Sequence, residues 1–163
     1  MERVAVFVDV QNIYYTVKQK YGSHFDYRAF YHDVTSGRRL VAASAYAIDR
    51  GDARQTRFQD ILRETGFDVK LKPFIRRADG SAKGDWDVGI ALDMVECADK
   101  VDVVVLASGD GDFASAEAKI VAEHQISVEV YGVPGLTAMS LMDAATSFRP
   151  IDANLLLAVP TTW

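Results

Sequence analysis

The segment VVVLASGDGDF, residues 103–113, indicates the architecture of this chain. It opens with five apolar residues, mostly β-branched, as in a central strand that is buried on both faces. A glycine-rich turn with two acids follows, and an amphipathic stretch begins there. VAVFVD, residues 4–9, has the same form, an apolar run that ends on an acid. We therefore expect two neighbouring central strands whose carboxyl ends carry Asp9 and Asp110.

Outside these two runs, apolar segments alternate with amphipathic ones, which is typical of a parallel sheet covered by helices on both faces, a three-layer α/β/α fold. The predicted strands are 4–8, 40–48, 67–71, 103–107 and 128–131, with a short sixth at 147–151. The predicted helices are 12–21, 27–34, 53–65, 88–98, 112–123 and 136–144. Residues 74–86 form the longest predicted loop. One domain is expected over residues 1–152, followed by an apolar tail at 153–163.

The composition is that of one compact domain in a reducing compartment. Of the 163 residues, 49% are hydrophobic, enough for a substantial core. The lone cysteine, Cys97, excludes an intrachain disulfide. The first residues predict a strand and not a signal peptide, and no apolar run approaches the ~18 residues of a membrane span. We expect a cytoplasmic protein without a membrane partner. Tyr14, Tyr15 and the apolar tail permit a homodimer without requiring one.

The charge is unevenly distributed along the chain. The net charge is −5, but residues 38–83 carry 11 Lys/Arg against 6 Asp/Glu. This basic stretch is either solvated helix surface or a strip that attracts a polyanion toward a nearby site.

Three segments place acids at predicted strand ends or helix starts: VFVDVQN at 6–12, KGDWDV at 83–88 and SGDGDF at 108–113. Ligands of open parallel sheets bind outside the carboxyl ends of the strands. An aspartate at a helix start is commonly only a cap, so Asp87 and Asp112 keep that second interpretation. Asp9 instead ends a buried run, where an unpaired carboxylate is costly. Oxygen ligands without His or Cys favour Mg²⁺ or Mn²⁺ over zinc.

Taken in order, VDVQN, KGDWDVGIALD, VVVLASGDGDF and VEVYG resemble the NYN domain, a family of PIN-like nucleases, and in particular its LabA-like bacterial branch. The resemblance covers about residues 4–152. It implies a Rossmann-like (PIN-like) parallel sheet of five main strands in the order 3-2-1-4-5. It also implies a ribonuclease that depends on Mg²⁺ or Mn²⁺ and hydrolyses phosphodiester bonds in RNA.

The resemblance also implies roles for individual residues. Four acids match the family's metal-binding and catalytic positions: Asp9, Asp87, Asp110 and Asp112. Asn12 matches the catalytic asparagine of the family, which would orient a ligand, a water or Asp9. Many members read KGxDV where this chain reads KGDWDV, so Asp85 competes with Asp87 for the third acidic position. Asp87 is favoured because the apolar pattern after it is in phase. The expected substrate contacts are Ser108, Lys83, Arg76, Arg77 and Trp86, with Arg50, Arg54 and Arg57 as further candidates.

Two of these residues keep alternative interpretations. Asp93 lies about 600° of helix rotation from Asp87, so the two side chains point in different directions and are not expected to bind the same ion directly. Asp93, like Asp85, is therefore a secondary candidate. Trp86 either stacks on a base or packs on the domain. At the level of the whole domain, a non-catalytic regulator that binds metal or RNA is the main alternative. A receiver domain or an aspartyl phosphatase fits less well because VDVQN lacks a second acid, and a dinucleotide-binding domain would need a glycine-rich turn there.

Overall fold

The computed structural model describes residues 1–73, 75–76, 82–83 and 86–158, and at 75–76 and 82–83 it describes the backbone alone. The described strands are β1 (Arg3–Asp9), β2 (Arg39–Asp49), β3 (Asp68–Pro73), β4 (Ile75–Arg76), β5 (Ala82–Lys83), β6 (Val103–Ala107), β7 (Ser127–Gly132) and β8 (Ser147–Pro150). The described helices are α1 (Val10–Tyr21), α2 (Tyr27–Thr35), α3 (Ala53–Thr65), α4 (Asp87–Cys97), α5 (Ala114–His124) and α6 (Met139–Ala144). Single 3-10 turns span Ala98–Lys100, Gly111–Phe113 and Ala153–Leu155.

The main sheet is parallel and has the order β3-β2-β1-β6-β7-β8. Counted within that sheet alone, the order is 3-2-1-4-5-6, which confirms the predicted order and the short sixth strand. The loop predicted at 74–86 contains the antiparallel pair β4–β5. Because β1 pairs with both β2 and β6, it lies at the centre of the sheet, where strand order reverses.

Two apolar clusters cover the two faces of the sheet. Val4, Val6 and Val8 of β1 point into one cluster, together with residues of α1, α2 and α3. Ala5 and Phe7 point into the other, together with residues of α4, α5 and α6. Every one of these five β1 side chains is at most 2% exposed. The unbroken apolar run thus reflects burial on both faces, and it leaves Asp9 as the first acid beyond the core.

Two helices begin later than the sequence pattern predicts. The α-helix expected from residue 112 begins at Ala114, because the side chain of Asp110 accepts the amide of Asp112 at 2.9 Å and residues Gly111–Phe113 form a 3-10 turn before it. The helix expected from residue 136 begins at Met139. Gly135 has a φ of +81°, a left-handed conformation suited to a turn, so the chain bends there before α6 can start.

The described part of the tail packs against the domain. Leu155 is buried, and its carbonyl accepts the amide of Asp26 at 2.7 Å. Leu156 forms an isolated bridge with Phe25. Among the described residues, no helix has both the length and the apolar character needed to cross a bilayer.

Candidate metal centre

The carboxyl ends of β1 and β6 bring two aspartates together. The parallel register pairs Val8 with Ala107, so the residues that follow each strand emerge side by side at one edge of the sheet. Asp87, the first residue of α4, lies close to both aspartates. Carboxylate oxygens of Asp9, Asp87 and Asp110 all lie within 4.8 Å of one another. We call these three residues the acidic cluster.

Asp9 is held in place by hydrogen bonds from both strand ends. It is only 8% exposed, and Ser108 Oγ donates to its Oδ2 at 3.0 Å. The same hydroxyl accepts from the amide of Asp110 at 3.1 Å, and the amide of Asn12 donates to Asp9 Oδ1 at 3.4 Å. These hydrogen bonds fix the orientation of the Asp9 carboxylate. The sequence predicts a substrate contact for Ser108, whereas in the structure its fully buried hydroxyl lies between two members of the cluster.

Asn12 connects the start of α1 to the turn after β6. Its side-chain Oδ1 accepts the amide of Gly109 at 2.8 Å. The carbonyl of Gly109 in turn accepts the amide of Ala138 at 3.0 Å. A Cβ at residue 109 would lie 2.6 Å from the carbonyl oxygen of Leu136, so glycine is required for the segment before α6 to pack onto this turn. The glycine-rich pattern thus reflects close backbone packing beside the cluster.

Two of the predicted acids do not join the cluster. Asp112 is exposed, and its backbone amide donates a hydrogen bond to Asp110 Oδ1. Asp93 accepts from the hydroxyl of Tyr46 at 2.6 Å and from Lys70 Nζ at 3.0 Å. Burial opposes ionisation of Asp93, but these two donors outweigh it and hold its pKa below the ordinary value. Asp93 therefore joins α4 to β2 and β3.

Trp86 is packed against the domain. Its Nε1 donates to the carbonyl of Ala47 at 2.8 Å, its ring lies edge-on to Tyr46, and Lys72 Nζ lies 4.5 Å from the ring centroid. A Cβ at Gly89 would lie 2.7 Å from the indole, so the first turn of α4 closely approaches the ring. These contacts fix the start of α4, and with it Asp87.

The other predicted contacts lie in or near the β4–β5 pair. Arg76 belongs to β4 and Lys83 to β5, but their side chains lie outside the described part of the structure. Arg77 and Asp85 fall outside the described residues altogether.

The chemistry of the cluster fits a hard divalent cation. Mg²⁺ binds oxygen ligands at about 2.0–2.1 Å, so two ligands of one ion lie up to about 4.2 Å apart. The carboxylate oxygens of the cluster lie within 4.8 Å of one another, which is close to that separation. A small side-chain rotation would bring them to the distance that one ion requires. Three adjacent carboxylates repel one another, and a cation removes that repulsion. The residues present therefore suit one or two such ions.

A parallel sheet of this order, flanked by helices and carrying aspartates at its carboxyl edge, is the architecture of PIN-like α/β domains. The chain matches the NYN domain over residues 3–152 and belongs to that family, within the PIN-like nuclease superfamily. The predicted family is thereby confirmed.

Two relatives of this chain agree with this assignment, and a third protein shares the fold alone. The chain is 30% identical over 160 residues to the low amplitude and bright protein LabA of Synechococcus elongatus, an alignment that covers 93% of this chain and 84% of LabA. A crystal structure of a protein of unknown function from Vibrio parahaemolyticus is 51% identical, with a TM-score of 0.91 and 96% of each chain covered. MurG of Acinetobacter baumannii is 14% identical, with a TM-score of 0.52. The match covers 98% of this chain and 44% of the MurG chain, and it shows the fold alone.

One unusual acid, Glu117 of α5, is not predicted from the sequence. Its side chain is fully buried, and neither carboxylate oxygen has a hydrogen-bond partner among the described residues. Burial raises its pKa to about 8. The available signal is helical spacing: Glu117 lies three residues before Ile120, the other buried residue of α5, and therefore on the same face.

Proposed function

We propose that this protein is a divalent-metal-dependent ribonuclease that hydrolyses phosphodiester bonds in RNA. The observation that carries the proposal is the acidic cluster, in a member of the PIN-like nuclease superfamily. A buried carboxylate beside two others is costly to keep without a cation. The negative charge gathered at the edge where strand order reverses supports a site for a metal ion and a phosphate.

Asp9, Asp87 and Asp110 would hold one or two Mg²⁺ or Mn²⁺ ions. A bound ion would lower the pKa of the attacking water and offset the charge that grows on the phosphoryl oxygens. Ser108 orients the carboxylate of Asp9, and Asn12 holds the turn that carries Asp110. We assign Asp112 an outer position, because its exposed carboxylate follows Asp110 by two residues.

The basic residues between β3 and α4 are assigned to the RNA backbone. Arg76, Arg77 and Lys83 precede Asp87 in the chain, and cations beside an acidic centre attract a polyanion toward it. Trp86 contributes by anchoring the start of α4. We place the reaction in the cytoplasm, the compartment expected from the sequence.

The direct test is incubation of the purified chain with end-labelled single-stranded RNA. We expect cleavage in Mn²⁺ and none in EDTA. RNA that is bound but stays whole in Mn²⁺ would contradict the ribonuclease and favour the alternative, a regulatory domain that binds metal or RNA without cleaving it.

Metal binding has its own expected result. At a free Mn²⁺ concentration 100 times Kd, binding adds about 2.7 kcal/mol to the free energy of unfolding, or about 5–10 °C in Tm for a domain of this size. Scanning calorimetry with and without Mn²⁺ measures the shift. Asp110→Asn should lose most of it. Asp102→Asn should keep it, because Asp102 lies at the opposite end of β6 in an exposed pair with Arg3. An unchanged shift in Asp110→Asn would contradict the assigned ligands.

A further inference from the structure

A pocket of about 340 Å³ lies beside the acidic cluster, among α1, the carboxyl end of β2 and the start of α3. Its volume lies within the range of about 300–1,000 Å³ typical of small-molecule sites. Val10, which follows Asp9 directly, lines it. Tyr27 also lines it, and burial together with the negative charge of Asp9 raises the pKa of that phenol. The pocket and the cluster are therefore neighbours.

The walls of the pocket are rich in aromatic rings. Tyr15 is 53% exposed, and its ring centroid lies 5.3 Å from that of Tyr14 in an edge-on arrangement. Tyr14 stacks on His24 at 5.9 Å, and Tyr27 meets Phe58 at 5.4 Å. Rings at the mouth and along the wall suit a flat, weakly polar ligand, and stacking on aromatic side chains is how proteins hold single-stranded bases.

Gln59 on α3 is the most buried polar side chain that lines the pocket, with 6% of its surface exposed. Among the described residues, the fully buried side-chain atoms that lack a partner are the two oxygens of Glu117, so the amide of Gln59 is not enclosed. It is therefore available to a ligand in the pocket. An amide offers a donor and an acceptor side by side, which matches the edge of a nucleobase. Arg54, exposed at the start of α3, adds a cation at the rim.

We propose that this pocket binds one nucleobase of the RNA whose phosphate reaches the acidic cluster, with Tyr15 stacking on the base and Gln59 pairing with its edge. The inference rests on the proposed function, because the cluster supplies the reason for RNA to lie here. It predicts a preference at one position of the substrate relative to the bond that is cut.

The test uses the full chain and single-stranded RNA oligonucleotides, each carrying one abasic nucleotide at a different position. Affinity is measured by fluorescence anisotropy in Ca²⁺, with RNA integrity checked on a gel. For the wild type, we expect one abasic position to weaken binding about ten-fold. Gln59→Leu and Tyr15→Ala should weaken binding of intact RNA by a similar factor and remove the sensitivity to that position. Gln19→Leu, at an exposed site on α1 outside the pocket, is the matched control.

The melting temperature separates recognition from folding. Gln59→Leu replaces the side chain by an apolar one of similar size and breaks no side-chain hydrogen bond within the described part of the structure, so its Tm should stay close to that of the wild type while its affinity for RNA falls. Unchanged affinity in both variants, or equal affinity for every abasic oligonucleotide, would overturn the pocket proposal. Absence of any RNA binding by the wild type would overturn it as well.

Cleavage in Mn²⁺, measured in parallel, distinguishes this proposal from the ribonuclease. Wild-type cleavage with the same KM in Gln59→Leu and Tyr15→Ala would reject the pocket and leave the nuclease standing. Base-dependent binding without cleavage would support the pocket and reject the nuclease.

Discussion

Replacing Asp9 and Asp110 together by asparagine should reduce Mn²⁺-dependent cleavage of single-stranded RNA by at least about 100- to 1,000-fold, since charge stabilisation by a metal is worth several kcal/mol. Asparagine has nearly the same size as aspartate and keeps one of the two oxygens with which Asp9 accepts from Ser108 and from the amide of Asn12. It removes the negative charge that a hard cation requires. Rates are measured by single-turnover cleavage of labelled RNA.

Two controls make this result specific. Asp102→Asn, purified in the same way, should cleave like the wild type, because it removes an aspartate from the opposite edge of the sheet. The double variant should melt within a few degrees of the wild type in EDTA, because the loss of repulsion within the acidic cluster offsets the hydrogen bond that the substitution of Asp9 removes. Equal cleavage by the double variant and the wild type would reject the site, and would point to a contaminating nuclease if EDTA had no effect either.

The second large effect is a loss of stability with rising pH that depends on Glu117. In the folded chain its pKa is about 8, against an ordinary value of 4.5. Between these values the folded state binds the proton more tightly than the unfolded state. The stabilisation is complete below pH 4.5 and is lost as pH rises to 8. The slope approaches about 1.4 kcal/mol per pH unit, or about 3–5 °C in Tm.

Glu117→Gln keeps the size of the side chain and cannot ionise, so its Tm should change far less between pH 5 and pH 8. At pH 8 the variant should melt above the wild type. Glu123→Gln, on an exposed side chain of the same helix paired with Lys119, should retain the wild-type slope. Parallel curves for the wild type and Glu117→Gln would show that Glu117 is solvated. Thermal unfolding by circular dichroism at half-unit pH steps suffices.

Much of the centre of this fold follows from local sequence. The runs at 4–8 and 103–107 are apolar on both faces, so they predict central strands, and the acids after them were expected to meet. The strand order came from the family resemblance, since connectivity between distant strands has no local signal. Asp87 and Asp112 could not be ranked, because both stand at helix starts and capping explains either. Only the packing of α4 against β1 brings Asp87 to the cluster.

The missed features depend on packing between distant elements. An acid on a helix is normally solvated, and Glu117 becomes buried only because α5 packs against α4 and α6. The pocket combines residues of α1, β2 and α3. From the sequence, Gln59 cannot be distinguished from the other polar side chains of an amphipathic helix, and only the structure shows that it is buried in the pocket wall.

The hydrogen bonds through Ser108 and Asn12 have a consequence for the kinetics of the centre. They join the two strand ends through the protein alone, so the carboxylates are already immobilised before any ion arrives. Such a centre behaves as a preassembled receptor, in contrast to sites that fold around their metal. Cation exchange should therefore be rapid and reversible, with an affinity set by electrostatics and little contribution from chain ordering.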